Sequence, residues 1–493
     1  MLKTLAFDFG ASSGRAMLSE FDGKKITLKE IHRFSNDPVT FKGTLYWDAL
    51  RIMHEMNASL IKCKREGHHD IKSVASDTWG VDYGLLDKKG SLISNPVHYR
   101  DKRTDNMQEL ASKIIGNAEF YEHTGIQFMK LNTVYQLLAM KMTDKETLDR
   151  ASTLLFMPDL FNYYLCGEKL CEYSIASTSQ MLNARKRDWD NDILSKLGID
   201  RKMLLDVVPS GTIAGTLTDD LCCLTGLGNV KVIAVGGHDT ASAVLAVPSK
   251  NKNFAYISSG TWSLLGTERT EPVINEKTYR MNYTNEGGFG NTIRLLKNIM
   301  GLWILQECKR QWEIDEGAIH FDVLDAEAEA AEPFYTFIDP DHPVFYEPGN
   351  MPERIVAYCK EKNQKVPQTK GQITRCIMES LAMKYRYALD ALEDVTGVKF
   401  DCLNVVGGGC KNKILLKFTA SAIGRPVMAG PIEATAAGNI MGQLISLGEV
   451  NGISQAREII ARSFDHVDYQ PIQADQWNEA YDRFLNVTGL KGD

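Results

Sequence analysis

Three stretches of the 493-residue chain carry the side chains from which a group-transfer reaction can be assembled. The first is Asp8-Phe9-Gly10-Ala11-Ser12-Ser13-Gly14-Arg15, an acid followed by a turn rich in backbone N–H groups, with two hydroxyls and a guanidinium. Such a turn can form a nest for an anion without a helix N-terminus. Asp8, at the end of the preceding strand, is placed to hold a hydrated Mg²⁺ beside bound phosphates. A solvated hairpin is an equally good reading of this turn alone, and it matches neither GxGxxG nor GxxxxGK(S/T). The second stretch is Val235-Gly236-Gly237-His238-Asp239-Thr240-Ala241-Ser242-Ala243, an apolar strand end, two glycines, then an Ala-rich helix. Thr240 could cap that helix with Asp239 near its positive end. The sharper reading makes Asp239 a base, beside glycines that allow close substrate approach, which accepts a hydroxyl proton while phosphates are held elsewhere. The third is Gly407-Gly408-Gly409 between an apolar strand and a helix. One glycine is explained by a positive φ, and three in a row suit close approach of a flat ligand to the backbone.

The elements that must position these groups read as layered α/β structure. Leu5–Phe9 and Ala16–Leu18 flank the first turn as a hairpin, and Phe254–Gly266, with Ser258-Ser259-Gly260-Thr261 at its turn, repeats the pattern half a chain later. Two such hairpins suggest an internal duplication. We therefore expect two domains, 1–246 and 247–493, separated where Val247-Pro248-Ser249-Lys250-Asn251 breaks the pattern. Strands are expected at 71–77, 230–235 and 403–406. Helices are expected at 48–64, with apolar positions Leu50, Met53, Met56 and Ile61, at 292–312, at 373–395 and from about Asn412. On the helix expected at 292–312, Leu295, Ile299 and Leu302 form an apolar stripe with Gln306 in its middle and Asn298 at its edge. Buried amides need partners, which are either core groups or a ligand. The segment 334–367, rich in Pro, Gly and acid, reads as a long surface excursion.

Composition excludes several classes. With 44% hydrophobic and 24% charged residues the chain is an ordinary globular protein, neither disordered nor coiled-coil. A net charge of −7 argues against a basic face for nucleic acid. No run approaches the roughly 20 apolar residues of a membrane span, and Asp8 interrupts any secretory leader at the N-terminus. The ten cysteines contain no CxxC pair, so buried free thiols are expected, with Cys359 and Cys376 the one pair that could meet. The expected location is cytoplasmic.

The motifs together resemble a known family. Asp8–Arg15, Asp77-Thr78-Trp79-Gly80-Val81-Asp82, Tyr99–Thr104, His238–Ala243, Ser258–Ser263, Leu296–Trp303, Gly407–Cys410 and Ala429–Ala434 are similar, in order, to the blocks of the FGGY family of carbohydrate kinases. Within that family they look like the enzymes acting on L-rhamnulose rather than those acting on xylulose or fuculose. The resemblance implies an α/β fold of two actin-like (ribonuclease H-like) domains with a catalytic cleft between them. It implies transfer of the γ-phosphoryl group of ATP, with Mg²⁺, to the 1-hydroxyl of L-rhamnulose, in a monomer or homodimer. Carried over by position, it makes Asp239 the general base and puts Gly80, His238, Thr240 and Asn298 on the sugar. Ala11, Ser12, Ser13, Gly14, Arg15, Thr261, Gln306 and Gly408 then fall on ATP, and Asp8 on the metal. The first domain would be the sugar-binding side and the second the nucleotide-binding side. A silent sugar-binding regulator and an actin-fold ATPase are the rivals of another class, and the intact Asp8, Arg15 and Asp239 argue against the silent one.

Overall fold

The computed structural model describes residues 1–491, which form two compact units. The first comprises residues 1–250, 268–295 and 434–464. Its chain begins with β1 (Leu2–Phe9), β2 (Ser13–Phe21) and β3 (Ile26–Ser35), an antiparallel meander. Helix α1 (Ala49–Arg65) leads to β4 (Ile71–Thr78), which lies parallel to β1. Helix α2 (Met157–Cys166), β5 (Thr212–Thr216), β6 (Lys231–Ala234) and α3 (Asp239–Leu245) complete this part. The strand order is β5-β6-β4-β1-β2-β3.

Central β1 is buried on both faces: Leu5, Ala6, Phe7 and Phe9 are all at most 1% exposed. Leu5, Phe7 and Phe9 pack with Trp47, Met56, Leu60 and Phe161 in the main core of this unit. Helix α1 starts where the Asp48 side chain accepts from Arg51 N at 3.1 Å, a conventional N-cap. The helix is where periodicity places it, but its buried face runs through Ile52, Met53, Met56, Leu60 and Cys63. Leu50, expected on that face, is 62% exposed.

The second unit opens with β7 (Ala255–Ser259) and β8 (Trp262–Arg269), the second hairpin. Residues 268–295, which carry β9 (Thr284–Gly287) and the start of β10 (Ile293–Met300), belong to the first unit; α4 (Trp303–Glu316), α5 (Lys370–Thr396) and β11 (Leu403–Val406) follow in the second. Then follow α6 (Lys413–Ile423) and β12 (Val427–Ala429), before α7 (Ala434–Ser446) returns to the first unit. Strand β13 (Val467–Tyr469) closes the second sheet, whose order runs β9-β10-β8-β7-β11-β12-β13. Each sheet therefore has a hairpin, a third strand outside its second member, two strands parallel to its first member, and an antiparallel edge. The duplication suggested by two hairpins is present in the topology, and both units are actin-like.

Two expectations fail. Residues 293–300 are a strand, so Leu295, Asn298 and Ile299 do not share a helix face with Gln306. Six of the eight residues of β10 are buried, which removes the alternation that would have marked it as a strand. The 334–367 segment is not a surface excursion. Phe337, Ile338 and Phe345 are fully buried, and 351–361 is a helix with Met351, Ile355 and Cys359 inside. All ten cysteines are free thiols.

Candidate active site

The loop before α3 is held by buried polar groups rather than by its own cap. His238 occupies the N-cap position with extended φ/ψ and makes no side-chain cap, and Thr240 does not cap either. Its hydroxyl instead donates to Asp239 Oδ1 at 3.0 Å. Buried Glu172 accepts from Gly237 N at 3.0 Å, Ser174 Oγ at 2.6 Å, Ser174 N at 2.8 Å and Ile175 N at 3.0 Å. Ser174 Oγ in turn accepts from His238 N at 3.2 Å, and Thr78 N donates to Gly237 O at 2.9 Å. The two glycines answer to protein neighbours. A methyl at Gly237 would stand 3.0 Å from Glu172 Oε2 and from Pro158 Cγ, and one at Gly236 would stand 3.1 Å from Ser242 N.

This frame leaves the Asp239 side chain one-third exposed beside His238, with Nε2 of the histidine 3.4 Å from Asp239 Oδ1. Gly80 lies against the same imidazole, since a Cβ there would be 3.3 Å from His238 Nε2. The residue after it, Val81, has φ of 69°. A β-branched side chain is strained in that region, and Val81 is pinned there by its N–H to Thr178 Oγ1 (3.0 Å) and by Thr133 Oγ1 donating to its carbonyl (2.6 Å). Behind it, Asp82 accepts from the indoles of Trp47 (2.6 Å) and Trp79 (3.0 Å), from Tyr99 N (3.1 Å) and from Gln136 (2.8 Å). Complete burial outweighs these donors and pushes its carboxyl up to about 6.

The N-terminal turn brings a second group together. In the β1–β2 register Asp8 faces Arg15, with which it forms an ion pair, and on the other side Asp8 neighbours Asp77 of β4. Asn36 ties the turn down by donating to Gly10 O at 2.9 Å, while Ala11, Ser12 and Ser13 remain at least partly exposed. Gly14 is required by packing, because a methyl there would overlap the Phe34 ring. Motif reading assigned nothing to Asp77 itself. It is fully buried, and its Oδ2 accepts from Asn439 Nδ2 at 2.6 Å. Burial first, and the Asp8 carboxylate next, raise its pKa well above the usual carboxylate range, with Asp239 adding to the effect. Asn439 belongs to a buried amide ladder on α7, in which Gln443 donates to Asn439 Oδ1 (2.7 Å) and to Leu5 O (3.1 Å) and accepts from Ser73 Oγ (2.6 Å). Asp8, Asp77 and Asp239 thus occupy one neighbourhood.

Among the described residues no three His, Cys, Asp or Glu converge as metal ligands. That donor set still fits Mg²⁺ carried by a nucleotide, because Mg²⁺ keeps several waters and binds through one or two carboxylates plus substrate phosphates. Asp8, a hard oxygen donor at the edge of an open turn, fits that role.

In the second unit, Thr261 Oγ1 donates to Gln306 Oε1 at 3.4 Å. The hairpin turn is joined to the start of α4 by Leu302 N to Gly260 O (3.1 Å) and Trp303 N to Thr261 O (3.2 Å). Gln306 is exposed on the first turns of α4, and part-buried Asn298 lies on β10. The three glycines divide. Gly407 has φ of 90°, and a methyl at Gly409 would overlap Ser259 Oγ, whereas nothing lies within 4 Å of a Cβ built at Gly408. Gly408 alone is bare for reasons other than protein packing.

Models of the FGGY family of carbohydrate kinases match residues 3–246 (N-terminal domain) and 255–447 (C-terminal domain). The chain belongs to the FGGY family of carbohydrate kinases. It is 42% identical over 481 residues to a rhamnulokinase of Bacteroides thetaiotaomicron, covering 98% of each chain. It is 42% identical over 491 residues to a rhamnulokinase of Enterococcus faecalis, covering 99% of this chain and 98% of the relative. Among solved structures, a gluconate kinase from Lactobacillus acidophilus superposes with a TM-score of 0.82 at 14% identity, over 98% of this chain and 97% of that one. A glycerol kinase from Plasmodium falciparum with ADP superposes with a TM-score of 0.78 at 14% identity, over 98% of both chains. Those two likenesses establish the fold. As a member of this family the protein is a sugar kinase, a phosphotransferase. Among the described residues no helix is long and apolar enough to cross a membrane.

Two residues of the first unit stand beside the site without any motif to announce them. Arg294 is completely buried and donates through Nη2 to His238 Nδ1 at 3.1 Å, while Glu286 Oε2 lies 3.1 Å from the same Nη2. Both are some fifty positions from His238 in the chain, and neither looks exceptional within an apolar strand or an Asn-Glu-Gly-Gly run.

Proposed function

We propose that the protein transfers the γ-phosphoryl group of ATP to the 1-hydroxyl of L-rhamnulose, yielding L-rhamnulose 1-phosphate and ADP, in the catabolism of L-rhamnose. The observation that carries this reading is the one-third-exposed Asp239 carboxylate on a rigidly fastened loop, flanked by His238, Thr240 and Gly80, in a chain over 40% identical to rhamnulokinases along nearly its whole length. In phosphoryl transfer the protein does little covalent work, and rate comes from positioning and charge stabilisation. Asp239 takes the proton of the attacking hydroxyl. His238, Thr240 and Gly80, with Asn298 of the second unit, orient the ketose. The Ala11–Arg15 turn, Thr261, Gln306 and Gly408 hold the nucleotide, and Asp8 holds its Mg²⁺, which neutralises phosphate charge when bound. In this reading residues 1–246 form the sugar-binding domain and 247–493 the nucleotide-binding domain. The enzyme is cytoplasmic and a monomer or homodimer.

The test is ADP release across a panel of ketoses and aldoses, with the product identified by ³¹P and ¹³C NMR. The highest kcat/KM is expected for L-rhamnulose, with phosphorus coupled to carbon 1. Another preferred sugar would overturn the substrate while leaving the kinase class, and phosphorylation at a different carbon would overturn the assigned acceptor.

A further inference from the structure

His238 is the histidine of the candidate sugar site, and its two nitrogens meet different environments. Nε2 faces Asp239 and the bare Gly80. Nδ1 faces one donor and one acceptor: Arg294 Nη2 at 3.1 Å and Glu286 Oε2 at 3.2 Å. A neutral imidazole carries its proton on one nitrogen only, and the partner of the other nitrogen decides which. Arg294 is donor-only and always charged. It is anchored by Nε to Gly287 O at 2.8 Å, so its plane is set independently of the histidine. Its Nη2 is aligned for a hydrogen bond to Nδ1, whereas Glu286 Oε2, although close, makes no aligned hydrogen bond. Glu286 neutralises the buried guanidinium, and that guanidinium in turn holds its carboxyl below the usual range despite complete burial. Arg294 Nη1 has no partner at all, although it is buried.

We propose that Arg294, neutralised by Glu286, is a positioning residue that fixes His238 as the Nε2–H tautomer, so that beside Asp239 the imidazole presents a hydrogen-bond donor to an oxygen of the sugar. The inference rests on the sugar-kinase reading of this site and adds a specificity element to it. The sugar must offer an acceptor, a carbonyl or hydroxyl oxygen, next to the hydroxyl that reacts. An analogue with hydrogen in place of that oxygen leaves a buried N–H unpaired and is rejected.

The direct test is long-range ¹H–¹⁵N correlation NMR on ¹⁵N-histidine-labelled protein, with the His238 signals assigned by their loss in His238→Asn. The wild type should show a bare Nδ1 and a protonated Nε2. A protonated Nδ1 with a bare Nε2 would overturn the proposal, and the one variant this measurement needs is the assignment control. In Arg294→Met the proton should move to Nδ1, facing Glu286, and the KM for sugar should rise about tenfold, as for one lost hydrogen bond. The KM for ATP should change much less. Arg294→Lys should recover part of the Nε2–H population, and Glu286→Gln should keep it. An unchanged tautomer in folded Arg294→Met would also overturn the proposal. Failure of the kinase reading shows up separately, as no phosphorylated sugar from the wild type, whatever the tautomer.

Discussion

Gly438 is the point where helix packing reaches the loop that carries the proposed base. On α7 it faces the carbonyl of Ser242 on α3, and a methyl at this position would overlap that oxygen, well inside van der Waals contact. Because the obstacle is backbone, no side-chain rotation relieves it. Ser242 lies one turn after Asp239, and its hydroxyl donates to Gly236 O at 2.8 Å, so a push on Ser242 moves both the glycine loop and Asp239. In Gly438→Ala, α3 must retreat by about 1.5 Å to restore normal contact. Overpacking of this kind costs about 1–3 kcal/mol, and a 1 Å misplacement of a catalytic group costs roughly 100-fold in turnover. We expect a melting temperature lower by several degrees and a kcat lower by one to two orders of magnitude. Differential scanning fluorimetry and coupled ADP release would read the two effects. Gly228→Ala serves as the control, since Gly228 is exposed, has no positive φ and has nothing within 4 Å of a Cβ built there, and should change neither. Wild-type stability and kcat in Gly438→Ala would refute the claim that this helix crossing sets the position of Asp239.

Two further predictions concern charge. Asp82 holds its proton up to about 6 in the folded protein against a reference of 3.8, so its contribution to stability is greatest below pH 4 and is lost as pH rises from about 4 to 6. The loss is about 3 kcal/mol at 1.36 kcal/mol per pH unit. Relative to Asp82→Asn, wild-type unfolding free energy in urea should therefore fall between pH 4.5 and 6.5, and a pH-independent difference would contradict a carboxyl dominated by burial. Arg15→Ala should raise the KM for ATP by roughly tenfold or more, as expected for a lost charged hydrogen bond. An unchanged ATP dependence would remove Arg15 from nucleotide binding.

The parts legible in the sequence are those encoded locally. Asp8–Arg15 and 254–266 read as hairpins because a polar glycine turn separates two apolar runs, and the repeated sheet order bears out the duplication. Asp239 stood out because an acid at the junction of a strand, two glycines and a helix is unusual. The losses have physical causes. Strand β10 read as helix because it is buried almost throughout, leaving no period of two. Thr240 looked like a cap because its type suits one, but its hydroxyl satisfies Asp239 instead. Gly236 and Gly237 suggested room for a substrate, whereas their space is taken by Ser242, Pro158 and Glu172. Arg294, Glu286 and Asn439 act only through contacts with distant residues, and single-residue types carry no trace of such pairings.

The most direct test of the central claim is Asp239→Asn, which keeps shape and removes the base. Isothermal titration should show sugar and ATP binding within a few-fold of wild type, while kcat falls by about 10²–10⁴, the usual contribution of a general base. Near-normal turnover in that variant, with binding intact, would contradict the assignment of Asp239 and with it the mechanism proposed for this kinase.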